Sequence, residues 1–349
     1  MSAPRKFALC FVAAALGGVS CDSVPQEQIN PFTDLEPLPF DGTPQVVLSE
    51  ISPIGKHRAG EVLRITVTTD RAGAAYLLEP DEPRTTAGVI VGGGPVNRPF
   101  VYRVARESEL FLLLESPDGA SVVLEPGPRD YQPPRGQNIV LEFETDFLTE
   151  ALFDPELHDS ADRDVLLSIE PAVRSGILAR MRAIFSDTPV TLLGPDDPRP
   201  DTFSVISYSG LRVTESGPDA AVAPGSEEIV LLGEVLPRGR GIDPGNQDPK
   251  DQAVVYVGSF RGTFVMDAVN NIINPLAATG AHEAGHLLGL NHTALDGLMT
   301  RNLSFAFQRQ LDFQRSQIVL DVGTGPEILT NVIQDPRLYF DRIFSAATE

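Results

Sequence analysis

His282, Glu283 and His286 stand in the run Thr279-Gly280-Ala281-His282-Glu283-Ala284-Gly285-His286-Leu287-Leu288-Gly289-Leu290-Asn291-His292. Histidines four apart project from one face of a helix, one turn from each other. That spacing lets two imidazole nitrogens meet one zinc ion at about 2.0–2.1 Å. Glu283 follows the first histidine, so its carboxylate can reach water at the metal without taking a ligand position. Asn274-Pro275 predicts the start of the helix, with asparagine as N-cap and proline at the first helical position. Gly289 predicts its end, because a left-handed glycine there reverses the chain towards the metal. His292, three residues on, is then the third candidate ligand. Three neutral imidazoles leave one position open for water, the arrangement of a catalytic rather than a structural site.

Met299 closes the tetrapeptide Asp296-Gly297-Leu298-Met299 beyond the third histidine. With it, the segment resembles the metzincin zinc proteases, whose signature is H-E-x-x-H-x-x-G-x-x-H followed by a methionine turn. The Gly285-x-x-Leu288-Gly289-Leu290-x-His292 portion is similar to the matrixin branch, and the subfamily is left unassigned. The resemblance implies a zinc-dependent endopeptidase acting on peptide or protein substrates, with His282, His286 and His292 on one Zn2+ and Glu283 as general base. It implies that Met299 forms an apolar floor beneath the histidines. It also implies a sheet whose edge strand pairs with substrate, for which residues 254–260 are the candidate. Leu303, Phe305 and Phe307, after the methionine turn, would line the specificity pocket. Arg301 stands where some relatives carry an extra tyrosine ligand, and no cysteine after residue 21 could serve as a latency switch. The competing expectation is a catalytically silent zinc-binding surface protein, acting as a binding or adhesion module.

Other candidate ligands carry less chemistry. His57 and His158 are expected to be ordinary surface or turn histidines. Asp243-Pro244-Gly245-Asn246-Gln247-Asp248 offers hard oxygen donors suited to Ca2+, but lacks the full spacing of a calcium loop and also reads as a solvated turn. Asp196-Asp197 has the same status.

The 349 residues must supply elements that bring these side chains together. At 42% hydrophobic the chain can build real cores, and 30 prolines with 30 glycines point to many turns. A net charge of −21 argues against nucleic acid or anionic lipid as main partner. Both cysteines, Cys10 and Cys21, are N-terminal, so the body holds no disulfide and no thiolate ligand. Residues 1–21 read as an export signal: Arg5 and Lys6 precede an apolar run that ends in Gly17-Gly18-Val19-Ser20-Cys21. That end resembles a bacterial lipobox, implying a cell-envelope lipoprotein anchored through Cys21, and ordinary cleavage to a secreted protein is the alternative.

Residues 22–45 read as a flexible tether. Short β-rich runs at 62–67, 75–78, 89–91, 110–114 and 121–124 predict a small all-β sandwich over 46–126, possibly immunoglobulin-like. A proline-rich linker leads to a metzincin-like domain over 138–349, with a mixed twisted sheet and three helices. Its strands are expected at 138–143, 190–193, 203–208 and 254–260, and its helices at 164–185, from 274, and at 328–344. The expected class is α+β.

Overall fold

A computed structural model describes residues 36–47, 50–71, 73–81, 84–115, 119–153, 158–214, 217–218, 230–236, 242–260, 269–294, 297–300, 312–322 and 325–344. The expected export segment with Cys21, and the tether up to residue 35, lie outside the described residues. From residue 36 the tether is not free: Leu38 N–H donates to the Pro53 carbonyl, and Leu38 and Phe40 pack on an apolar core.

The N-terminal strands are β1 (Gln45–Val46), β2 (Ile51–His57), β3 (Val62–Thr68), β4 (Ala74–Asp81), β5 (Arg84–Pro95), β6 (Phe100–Arg103), β7 (Ser108–Leu114) and β8 (Ser121–Pro126). Then come β9 (Gln137–Phe143), α1 (Phe147–Leu152), α2 (Ser160–Ile184), β10 (Val190–Leu193), β11 (Ser204–Ser209), β12 (Val213–Thr214), β13 (Gly217–Pro218), β14 (Val230–Leu231), β15 (Gly233–Leu236) and β16 (Gln252–Tyr256). A 3-10 turn, Val257–Phe260, precedes α3 (Asn270–Leu287), β17 (His292–Thr293), β18 (Ser316–Val322), β19 (Gly325–Gln334) and α4 (Pro336–Ile343). The chain is a mixed α and β protein dominated by sheet.

Three large sheets organise it. A four-stranded sheet, β1-β8-β3-β6, faces a seven-stranded sheet, β17-β18-β19-β5-β4-β7-β2, across one apolar core. The third is β10-β9-β11-β16-β15, parallel except for the antiparallel edge strand β15. Its inner face (Ile139, Leu141, Ile206, Val255) meets α2 and α3 in a second core. Every residue of α3 from Pro275 to Leu287 is buried, as a helix covered on all sides must be.

The seven-stranded sheet crosses the boundary expected between 126 and 138. Strand β19 pairs in parallel with β5, Val332 opposite Gly88 and Ile333 opposite Val89. The reason lies in the strands themselves. Along β7, Leu110, Leu112 and Leu114 enter the sandwich core, while Phe111 and Leu113 enter the helical core. In β4, Ala75 and Leu77 take the first side, Tyr76 and Leu78 the second. Continuous apolar runs mark strands buried on both faces, so this sheet needs a second layer. The sandwich also divides its strands as β1, β3, β6, β8 against β2, β4, β5, β7, which is not the ABED and CFG division of an immunoglobulin constant domain.

Three element boundaries differ from expectation. Helix α3 begins at Asn270, so Pro275 lies inside it, costing one backbone hydrogen bond near the helix start. The strand expected over 254–260 ends at Tyr256 and continues as the 3-10 turn. The helix expected over 328–344 is strand β19 followed by α4: Asp335 caps α4, accepting from Leu338 N–H, with Pro336 at its start.

Candidate metal centre

Helix α3 presents His282 and His286 one turn apart, both buried, and ends as the sequence predicts. Gly289 has φ +93°, Gly289 N–H donates to the His286 carbonyl, and Leu290 N–H donates to the Gly285 carbonyl. This pair of bonds is a Schellman motif, which turns the chain back towards the helix. Gly289 is also required by space, since a Cβ there would lie 2.2 Å from the Tyr339 hydroxyl and 2.7 Å from the Asp243 carbonyl. The reversed chain delivers His292 at the start of β17, paired with Val319 of β18. The three imidazoles then offer nitrogens that all lie within 4.8 Å of one another.

The hydrogen bonds of His282 and His286 decide where their ring protons sit. His282 Nδ1 lies 2.7 Å from the Leu298 carbonyl, and His286 Nδ1 lies 2.8 Å from the Leu290 carbonyl. A carbonyl only accepts, so each Nδ1 carries the proton and each Nε2 carries a lone pair. His286 Nε2 is 2.9 Å from His282 Nε2 and 3.3 Å from His292 Nε2. Lone pairs converging at that range suit one shared cation. Burial, reinforced by neighbouring His286, pushes the His282 pKa down to about 3 against the opposing pull of the Leu298 carbonyl, so the ring is neutral at physiological pH. Three imidazole nitrogen donors are consistent with zinc, as with other borderline divalent metals.

Glu283 is 4% exposed. Burial, and secondarily the negative charge of Glu234, push its pKa up to about 8. Its side chain lies against the backbone of Gly233, where a Cβ would come 2.5 Å from Glu283 Oε1. Gly233 opens β15, so the sheet's edge strand runs directly past this carboxylate. The edge is therefore β15 and not residues 254–260, whose strand β16 is flanked by β11 and β15. Glu234, next on β15, accepts from the Tyr256 hydroxyl on β16.

Met299 is buried and packs on Gly285, between the two helical histidines in sequence: a Cβ on Gly285 would lie 2.4 Å from Met299 Sδ. Its turn is tied back, with Thr293 N–H donating to the Met299 carbonyl and Leu298 N–H to the Asp312 carbonyl. Asp296, Arg301, Leu303, Phe305 and Phe307 lie outside the described residues.

The Asp243–Asp248 loop bonds partly within itself and partly to its neighbours. Asp243 accepts from Asp248 N–H at 2.7 Å, and Gln247 donates to the Gly245 carbonyl. The loop braces the end of α3, since Asp243 N–H donates to the His286 carbonyl and Gly245 N–H to the Tyr339 hydroxyl. Asp197 accepts from Gly194 N–H and from Arg182, and the first of these bonds leads in holding its pKa below the usual carboxylate range. His57 is buried rather than on the surface, beside Glu61 and the Ile54 carbonyl. His158 is exposed. Among the described residues, only His282, His286 and His292 form a group of three or more donors able to hold a metal.

Sequence reasoning passed over Gly233, Tyr76, Asn291 and Gln334. The Tyr76 hydroxyl lies 2.8 Å from Asn291 Oδ1 and 2.9 Å from Glu115 Oε1. The Gln334 amide bonds both backbone groups of Asn291. A tyrosine inside an apolar run was the available signal, because a buried hydroxyl needs a partner. Compared with known protein families and with curated proteins, the chain matches no family model and no curated protein.

Proposed function

We propose that the protein is a zinc-dependent endopeptidase working in the manner of the metzincins it resembles in sequence. The observation that carries this reading is the join of two features at the end of α3: three imidazoles whose Nε2 atoms converge, and a buried carboxylate that follows the first of them in the chain. His282, His286 and His292 would hold the ion. Zinc bound there supplies Lewis acidity, acidifying water and polarising a peptide carbonyl. Glu283 takes the proton from the attacking water and passes it to the leaving amine. The edge strand β15 offers backbone donors and acceptors to an extended peptide, which would lie across Gly233 and over Glu283.

The test is zinc content and cleavage of a peptide library by the full chain, its Glu283→Ala variant and its His286→Ala variant. Glu283→Ala is expected to keep zinc and to lose cleavage by about 100-fold or more. His286→Ala is expected to lose zinc and cleavage together. Cleavage that survives in Glu283→Ala would refute the mechanism. Zinc bound by the unaltered chain with no cleavage at all would favour the silent binding module.

A further inference from the structure

We infer that the seven-stranded sheet is a working part of the metal centre, with Tyr76 and Gln334 as positioning residues that act through Asn291 on His292. This rests on the reading that the three histidines hold a metal ion. Tyr76 and Gln334 are fully buried and Asn291 is 1% exposed, so none of the three has water as an alternative partner. Gln334, the last residue of β19, accepts from Asn291 N–H at 2.7 Å and donates to the Asn291 carbonyl at 2.9 Å. One side-chain amide thus satisfies both backbone groups of the residue before His292, as a neighbouring strand would.

Tyr76, from β4, holds the Asn291 side chain. Its single hydroxyl hydrogen cannot serve both Asn291 Oδ1 and Glu115 Oε1. Turning the Asn291 amide over resolves this, since its NH2 then donates to Tyr76 while Tyr76 donates to Glu115. The turn also gives a partner to Asn291 Nδ2, which has none in the other orientation. Tyr76 and Asn291 are out of water, and a buried polar group left unpaired is penalised, so the bond between them holds the Asn291 side chain in place.

The consequence reaches two of the three rings. His292 follows Asn291 directly. The Leu290 carbonyl, immediately before it, is the acceptor that orients His286. A clamp at residue 291 therefore fixes one ligand through the chain and another through its Nδ1 bond, the kind of outer support that metal ligands depend on.

The test measures zinc affinity by chelator competition, and the visible spectrum of bound Co2+, for the full chain and for Tyr76→Phe and Gln334→Leu. Both variants are expected to bind zinc about 10- to 100-fold more weakly and to show an altered Co2+ spectrum. Melting after metal removal separates this from a merely structural role, which would lower the melting temperature and leave the Co2+ spectrum unchanged. If Gln334→Leu fails to fold, Tyr76→Phe decides, because its ring fills the same space. Folded Tyr76→Phe with unchanged zinc affinity and Co2+ spectrum would overturn the inference and leave the zinc reading intact. An unaltered chain that binds no zinc would overturn both.

Discussion

The five-stranded and seven-stranded sheets reach the same three-histidine site, but they bring different parts of it and are assembled differently. The five-stranded sheet lies under α3 and sets Glu283, through Gly233 at its edge. The seven-stranded sheet meets the chain after α3 and holds Asn291, and with it His292. The first is made of strands contributed between residues 137 and 256; the second joins β5 to β19 across more than two hundred residues. On the proposed function, proton transfer and metal holding would depend on separate scaffolds, and a change in one should leave the other measurable.

The sharpest division is expected from Glu283→Gln in the metal-free protein. The carboxyl has a folded pKa of about 8, above its ordinary 4.5. Between those values the folded state binds more protons than the unfolded one, so stability falls as pH rises through that window. Glutamine removes this term. The variant should therefore gain on the parent from pH 4.5 upward, levelling above pH 8 at up to about 5 kcal/mol. His282, whose folded pKa is lowered, makes stability rise between about pH 3 and 6.5 in both proteins, and so cancels. Denaturant titrations across pH read the difference; a constant gap from pH 4 to 9 would refute the burial argument.

At the junction of the two scaffolds, Gly289→Ala should disturb both. It forces an L residue to φ +93° and drives a methyl group onto Tyr339. A loss of about 2–4 kcal/mol in stability is expected, with weaker zinc binding. Unchanged melting and zinc affinity would mean the helix end has another way to turn.

The smallest effect should come from the five-stranded side alone. Gly233→Ala presses a methyl on the Glu283 carboxylate, whose atoms are the nearest to it. Cleavage efficiency should fall about tenfold with zinc affinity unchanged, a displacement of roughly 1.4 kcal/mol in the transition state. Zinc loss in this variant would show that the two scaffolds are not separable.

The same contrast explains what the sequence made legible. The three-histidine group and Gly289 follow from local rules: helical spacing, a left-handed end and a short return; Met299 came from the resemblance to the metzincin signature. Strands β10 and β9 emerged for similar reasons, as apolar runs bounded by proline or glycine. The sheet that crosses the chain did not, because no local pattern says that Val332 lies beside Gly88. A continuous apolar run such as 110–114 held the clue that a second layer must exist, without saying which residues form it. Ile328, Leu329, Val332 and Ile333 fit a helical stripe as well as a strand, and only Asp335-Pro336 marks where the helix truly begins. The edge strand β15 is four residues long and opens with glycine, too brief for alternation to show.

The pairing of β19 with β5 also imposes an order in time. The histidine helix forms from neighbouring residues, whereas Gln334 reaches Asn291 only once β19 has found β5, a contact of long sequence range. Until that residue arrives, Asn291 has no clamp and β17 lacks a completed sheet to extend, so the third ligand has no fixed address. During folding, the site would remain open and unset, closing only when the C-terminal strand slots beside the N-terminal one.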